Sequence, residues 1–88
     1  MSAKKIQWDL DAWEDYLYWQ EEDRKTLKRI NQLIKAVSRN PFNGIGKPEP
    51  LKGNLTGLWS RRIDSENRLV YMVEEAKVLI FACRGHYE

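Results

Sequence analysis

The sequence predicts an α+β fold in which two N-terminal helices pack on one face of a mainly antiparallel sheet. Three observations predict it. Apolar residues recur at helical spacing through residues 10–22 and 24–40. Three apolar-rich runs follow at 58–63, 68–73 and 77–84, separated by short polar turns. Between these halves lies one long stretch punctuated by Gly and Pro. The resulting order β-α-α-loop-β-β-β belongs to an α+β layer design.

The segment "KKIQWD" reads as a short strand, with Ile6 and Trp8 alternating against Lys5 and Gln7. Asp9 is placed to cap the first helix, "LDAWEDYLYWQEE", and Asp11 lies near the positive end of its dipole. Leu10, Trp13 and Leu17, widened by Tyr16 and Trp19, form the expected core-facing stripe. Asp23 starts the second helix, "RKTLKRINQLIKAVSRN". Its apolar face is Leu27, Ile30, Ile34 and Val37 with Leu33 beside it, and Lys25, Lys28, Arg29 and Lys35 lie elsewhere on its surface. Pro41 ends this helix by disfavouring a helical Asn40. The stretch "NGIGKPEPLKGNLTG" is a partly stiffened loop, and a loop of that length in so small a domain is more often functional than idle. "DSEN" and "EEA" are the hairpin linkers between the last three strands.

Eighty-eight residues make one domain, expected over residues 1–88, with a single modest core. Hydrophobic residues are 42% of the chain and charged residues 32%, which excludes a disordered composition. The start lacks the apolar centre of a signal peptide and no run reaches transmembrane length, so a cytoplasmic protein without a membrane partner is expected. The single Cys83, inside "VLIFAC", excludes an internal disulfide and reads as a buried strand residue. Net charge is only +2, but it is unevenly spread. Seven acids face Lys4 and Lys5 in the first 23 residues, whereas from Arg24 to Arg68 eleven basic residues face three acids. That excess suits a polyanion, although a solvated helix face would carry the same charges.

The polar residues of the strands carry the chemistry. Arg61, Arg62, Arg68 and Arg84 come from three neighbouring strands or their ends, with Lys47 and Lys52 in the loop, a pattern suited to holding phosphate. No Walker loop, GxGxxG or metal-ligand cluster is present, so neither a cofactor nor a metal is expected. Glu49 in "KPEPLK" is a carboxylate whose backbone two prolines stiffen. His86 is the only histidine, and imidazole is the side chain best suited to exchanging protons near neutrality. A carboxylate, a histidine and several arginines are the minimum set for metal-free RNA cleavage. A noncatalytic RNA- or ribosome-binding translation inhibitor would look much the same in composition.

The segments "WEDYLYWQ", "KRINQLIK", "NPFNGIGKPEPLKGNLTGLWSRRI", "NRLVYMV" and "ACRGHY", in that order, resemble a YoeB-type toxin of the RelE-like superfamily over essentially the whole chain. These are the ribosome-dependent mRNA interferases of bacterial toxin–antitoxin systems. The resemblance implies a microbial-ribonuclease-like fold and cleavage of mRNA in the ribosomal A site. It also implies neutralisation by a YefM-like antitoxin, and allows a homodimer. It makes Glu49 the general base, Arg68 the transition-state arginine, His86 the general acid and Tyr87 a residue shaping the site. Lys52 and Arg62 match basic residues that contact RNA near the scissile phosphate. Glu88, which follows the tyrosine, departs from that pattern. A symmetric hairpin through "EEAK" would pair Arg68 with Cys83 and bring Tyr87, not His86, to the Arg68 face. Either a bulge shifts the register or His86 lies beyond regular pairing, and the second is expected because Gly85 can break the strand.

Overall fold

A computed structural model describes residues 3–86. Strand β1 (Lys5–Trp8) leads into helices α1 (Leu10–Glu22) and α2 (Arg24–Arg39), followed by β2 (Glu49–Pro50), β3 (Trp59–Arg62), β4 (Arg68–Glu74) and β5 (Lys77–Ala82). The sheet order is β1-β5-β4-β3-β2. Every pairing is antiparallel except β1 with β5, which is parallel. The α+β architecture predicted from the sequence is therefore present, with two additions. The two-residue β2 lies inside the stretch expected to be irregular, and β1 lies parallel to the first four residues of the chain's last strand.

Helix α2 behaves as its periodicity requires. Asp23 caps it through bonds from the Lys25 and Thr26 amides (3.1 and 3.2 Å) and the Thr26 hydroxyl (2.8 Å). Ile30, Leu33, Ile34 and Val37 are buried. Helix α1 departs from expectation in two ways. Asp9 occupies the N-cap position but makes no side-chain cap bond. Of the expected stripe Trp19 is buried as predicted, beside Ala12, while Leu10 is 72% exposed and Trp13 and Leu17 are also exposed. The reason is a set of specific contacts. Small Ala12 allows the Cys83 thiol to approach its carbonyl (3.7 Å), and the Trp19 indole N–H donates to the Cys83 carbonyl (2.9 Å). Trp13 meets Trp8 edge-on (5.6 Å between centroids) and stacks on Tyr16 (5.7 Å), and Trp8 and Tyr16 themselves pack against the core.

On the sheet, Leu69, Tyr71, Val78 and Ile80 join the core beneath the helices. The β4–β5 turn has the register of the hairpin through "EEAK". Glu74 pairs with Lys77 across only Glu75 and Ala76, both at positive φ (47° and 64°), as a type I′ turn requires. Farther along, Tyr71 pairs with Ile80 but Val70 pairs with Ala82, so Phe81 is a bulge residue. The Arg68–Cys83 pairing of a symmetric hairpin is thus broken by the bulge. Strand β5 then ends at Ala82, and Gly85 at φ +91° turns the chain ahead of His86. His86 accordingly lies beyond regular pairing, as predicted, with a bulge before it. Tyr87 and Glu88 lie outside the described residues.

Candidate active site

Alternation along β3 divides its side chains between two faces. Ser60 and Arg62 point away from the helices, and Trp59 and Arg61 point toward them. The register carries the outward face across three strands: Glu49 pairs with Ser60, Ser60 with Val70, and Arg62 with Arg68. Neighbouring strands lie about 4.8 Å apart and two residues along a strand span about 6.7 Å. Glu49, Arg62 and Arg68 are therefore close enough for their side chains to converge on one small group.

They do so in a cleft of about 280 Å³ lined by Lys47, Glu49, Lys52, Arg62, Arg68 and His86, with Ser60, Pro50 and Leu51 completing the wall. Six residues predicted for the site, from the loop, two strands and the tail, are brought together there. Arg68 is nearly buried, and its Nη1 donates to the carbonyls of Asp64 (2.7 Å) and Asn67 (3.1 Å), which orients the guanidinium. Asp64 is drawn in two directions. Burial would raise its carboxyl, but hydrogen bonds from Glu66 and Asn67 and the Arg68 charge hold it below the ordinary range.

One arginine predicted to bind RNA, Arg61, does something else. Arg61 is fully buried. Its Nε donates to the Tyr71 hydroxyl (3.1 Å), Nη1 to the Ile45 carbonyl (3.2 Å) and Nη2 to the carbonyls of Asn40 (2.6 Å) and Asn43 (3.0 Å). The Tyr71 hydroxyl in turn donates to Pro41 (2.6 Å). With its donors engaged by backbone, Arg61 does not face RNA; it stitches residues 40–45 to the sheet and so fixes the root of the loop that bears Lys47 and Glu49. Gly46 completes the stitch at φ +84°. Its carbonyl accepts the Arg62 amide (2.6 Å), and a Cβ there would lie 2.7 Å from the Leu33 side chain. Arg84, also expected to bind RNA, stands apart from the cleft. It is exposed, but its guanidinium sits 3.5 Å from the centre of the Tyr18 ring on α1, and it does not line the cleft.

Cys83 is the buried residue expected from the sequence. Burial first, and then the Asp15 charge, push its thiol up to about 12, so it is inert near neutrality. Ser60 and Asn67 were not among the predicted residues. The period-2 pattern of "WSRR" placed Ser60 on the Arg62 face, and "DSEN" carries the Asp and Asn of an Asx turn. Tyr87 lies outside the described residues.

A model of the family described as YoeB-like toxin of bacterial type II toxin-antitoxin system matches residues 8–87. Toxin YoeB of Escherichia coli K12 is 59% identical over 83 residues, covering 94% of this chain and 99% of that protein. A YoeB/ParE toxin from Agrobacterium tumefaciens superposes with a TM-score of 0.92 at 47% identity, covering 94% of this chain and 99% of that one. A chain of a YoeB–YefM complex from Staphylococcus aureus gives 0.87 at 49% identity, covering 93% and 95%. A YoeB dimer from the same organism gives 0.88 at 50%, covering 94% and 97%.

Proposed function

The chain belongs to the YoeB-like toxin family, and on that premise we propose that it is an endoribonuclease that cleaves ribosome-bound mRNA in the A site without a metal. The observation that supports the reading most is the gathering of one carboxylate, one imidazole and a group of cations in a single cleft. Glu49 removes the proton of a ribose 2′-hydroxyl. The 2′-oxygen attacks the adjacent phosphorus, Arg68 and Arg62 balance charge developing on the phosphoryl oxygens, and Lys47 and Lys52 hold the flanking backbone. His86 gives a proton to the departing 5′-oxygen, leaving a 2′,3′-cyclic phosphate and a 5′-hydroxyl. Tyr87 is assigned to shaping the site beside His86.

A YefM-like antitoxin is the proposed neutralising partner, by likeness to the Staphylococcus aureus complex, and the dimer from that organism favours a homodimer. Exposed Ile6, Leu10, Trp13 and Leu17 offer apolar surface for either. Action on ribosomes places the protein in the cytoplasm; among the described residues no helix is long and apolar enough to cross a membrane.

Mapping mRNA ends in a translating extract tests the activity. New 5′-hydroxyl ends within codons occupying the A site are expected with the parent protein and are expected to be lost with His86→Ala. Arrested ribosomes carrying intact message would instead establish a noncatalytic blocker.

A further inference from the structure

The residue ahead of His86 is held from the turn between β3 and β4. Gly85 N–H donates to Asn67 Oδ1 (2.9 Å), and the Gly85 carbonyl accepts the Arg68 amide (2.8 Å). Both backbone polar groups of Gly85 are therefore bound by two consecutive residues of one turn. Asn67 is itself fixed, because its Nδ2 donates to both carboxylate oxygens of Asp64 (3.1 Å each). A backbone N–H needs an oxygen and a carboxylate needs an N–H, so the amide can point only one way. Asp64 Oδ1 also accepts the amides of Glu66 (2.8 Å) and Asn67 (2.7 Å), closing the Asx turn. The same turn offers its Asp64 and Asn67 carbonyls to Arg68.

On the other side, α1 ties the tail two residues earlier. Cys83 N–H donates to Asp15 (3.1 Å) and its carbonyl accepts from Trp19. Between that tie and His86 the chain bends at Gly85, whose φ of +91°, rather than lack of room, demands glycine. Asn67 supplies the side-chain bond to this bend, and the Arg68 amide the backbone one.

We propose that Asn67 is a positioning residue for the proton-transfer step: its side-chain amide, braced by Asp64, anchors Gly85 and so aims His86 into the cleft. The inference rests on the reading of His86 as general acid. It makes one turn responsible for placing both the phosphate-binding Arg68 and the acid.

The test uses the full chain on programmed ribosomes under single-turnover conditions. Misplacing a catalytic group by about 1 Å can cost on the order of 10²-fold. Asn67→Ala is therefore expected to slow cleavage by roughly 10- to 100-fold while ribosome binding is unchanged. A message whose scissile 5′-oxygen is replaced by sulfur needs no acid, because thiolate leaves unaided. On that substrate the Asn67→Ala deficit should shrink to a few-fold, as should that of His86→Ala. In the His86→Ala background, Asn67→Ala should add less than about 2-fold, because the two act as one unit. Amide exchange at Gly85 should accelerate in Asn67→Ala. Asn67→Asp sets two carboxylates against each other and should be impaired; adding Asp64→Asn restores a donor–acceptor bridge and should recover both rate and Gly85 protection. An equal deficit on oxygen and sulfur substrates, additivity with His86→Ala, or unchanged Gly85 exchange would each overturn the proposal. Parent-like cleavage by His86→Ala would instead overturn the general-acid reading, and Gly85 exchange would still decide whether Asn67 holds the tail.

Discussion

The two faces of β3 put neighbouring arginines to opposite uses. On the helix face, Arg61 is sealed from solvent and bonded to three loop carbonyls and the Tyr71 hydroxyl. On the other face, Arg62 is exposed in the cleft opposite Arg68. The residue type is the same, and the strand alternation decides which one can meet a phosphate. The difference teaches that the site has a built side and a working side. The helix face fixes where the Glu49 loop starts, and the cleft face presents the groups proposed to reach substrate.

The comparison requires that cleft residues alter chemistry without altering folding. Glu49→Ala should slow the chemical step by roughly 10²–10⁴-fold, with an unchanged thermal midpoint. A large fall in the midpoint would place Glu49 on the structural side instead. Next in size is the helix face. Arg61→Ala leaves buried carbonyls without donors and should lose about 2–4 kcal/mol in denaturant unfolding. Arg62→Ala should stay within about 0.5 kcal/mol in the same measurement while cleaving more slowly. Equal destabilisation by both would erase the distinction between the faces.

Smaller effects sharpen the boundary of the working surface. Lys28 is exposed and Arg29 half-buried on α2, and neither lines the cleft. Replacing both by Glu should weaken ribosome association and reduce its salt slope by about 1–2, since each phosphate contact releases counterions. An unchanged slope would confine the footprint to the cleft face. The smallest effect expected is in pH dependence, where two aspartates differ in sign. Asp64 is held low, so it contributes stability above the unfolded carboxyl value of about 3.9 and loses it as pH falls through the lower folded value. Asp15 is held high, chiefly by burial, although the Cys83 amide and Arg84 oppose that, so its charged form costs stability at neutral pH and the cost disappears on acidification. Unfolding midpoints from pH 7 down to 3 should show Asp15→Asn removing a gain and Asp64→Asn removing a loss. The same slope change from both would contradict the opposite shifts.

Much of this was legible beforehand for definite reasons. Helix α2 carried a full apolar stripe with a capping Asp23 and a terminating Pro41, so local and tertiary preferences agreed. Helix α1 carried more apolar side chains than one face needs. The hydrophobic pattern alone therefore centred the stripe on Leu10, Trp13 and Leu17, whereas the fit of Ala12 and Trp19 to Cys83 turns its Trp19 edge inward. The two residues of β2 are too few for any periodic signal and exist because β3 is there to pair with them.

For the site, residue chemistry by itself determined the inventory. A stiffened carboxylate, a lone imidazole and an excess of arginine are properties of side chains, and they survive any folding. Which arginines remain available was decided only in three dimensions. Arg61 and Arg62 are adjacent in sequence and differ by one step of a pleat, while the Phe81 bulge and the Gly85 bend set where the tail leaves the sheet. Those events depend on what lies nearby in space: Tyr71 and the loop carbonyls for Arg61, Asn67 for Gly85. Sequence specifies each side chain's capacity to bond. Only the packed structure specifies which capacities are already satisfied, because a buried donor must find an internal partner and an exposed one is left for substrate.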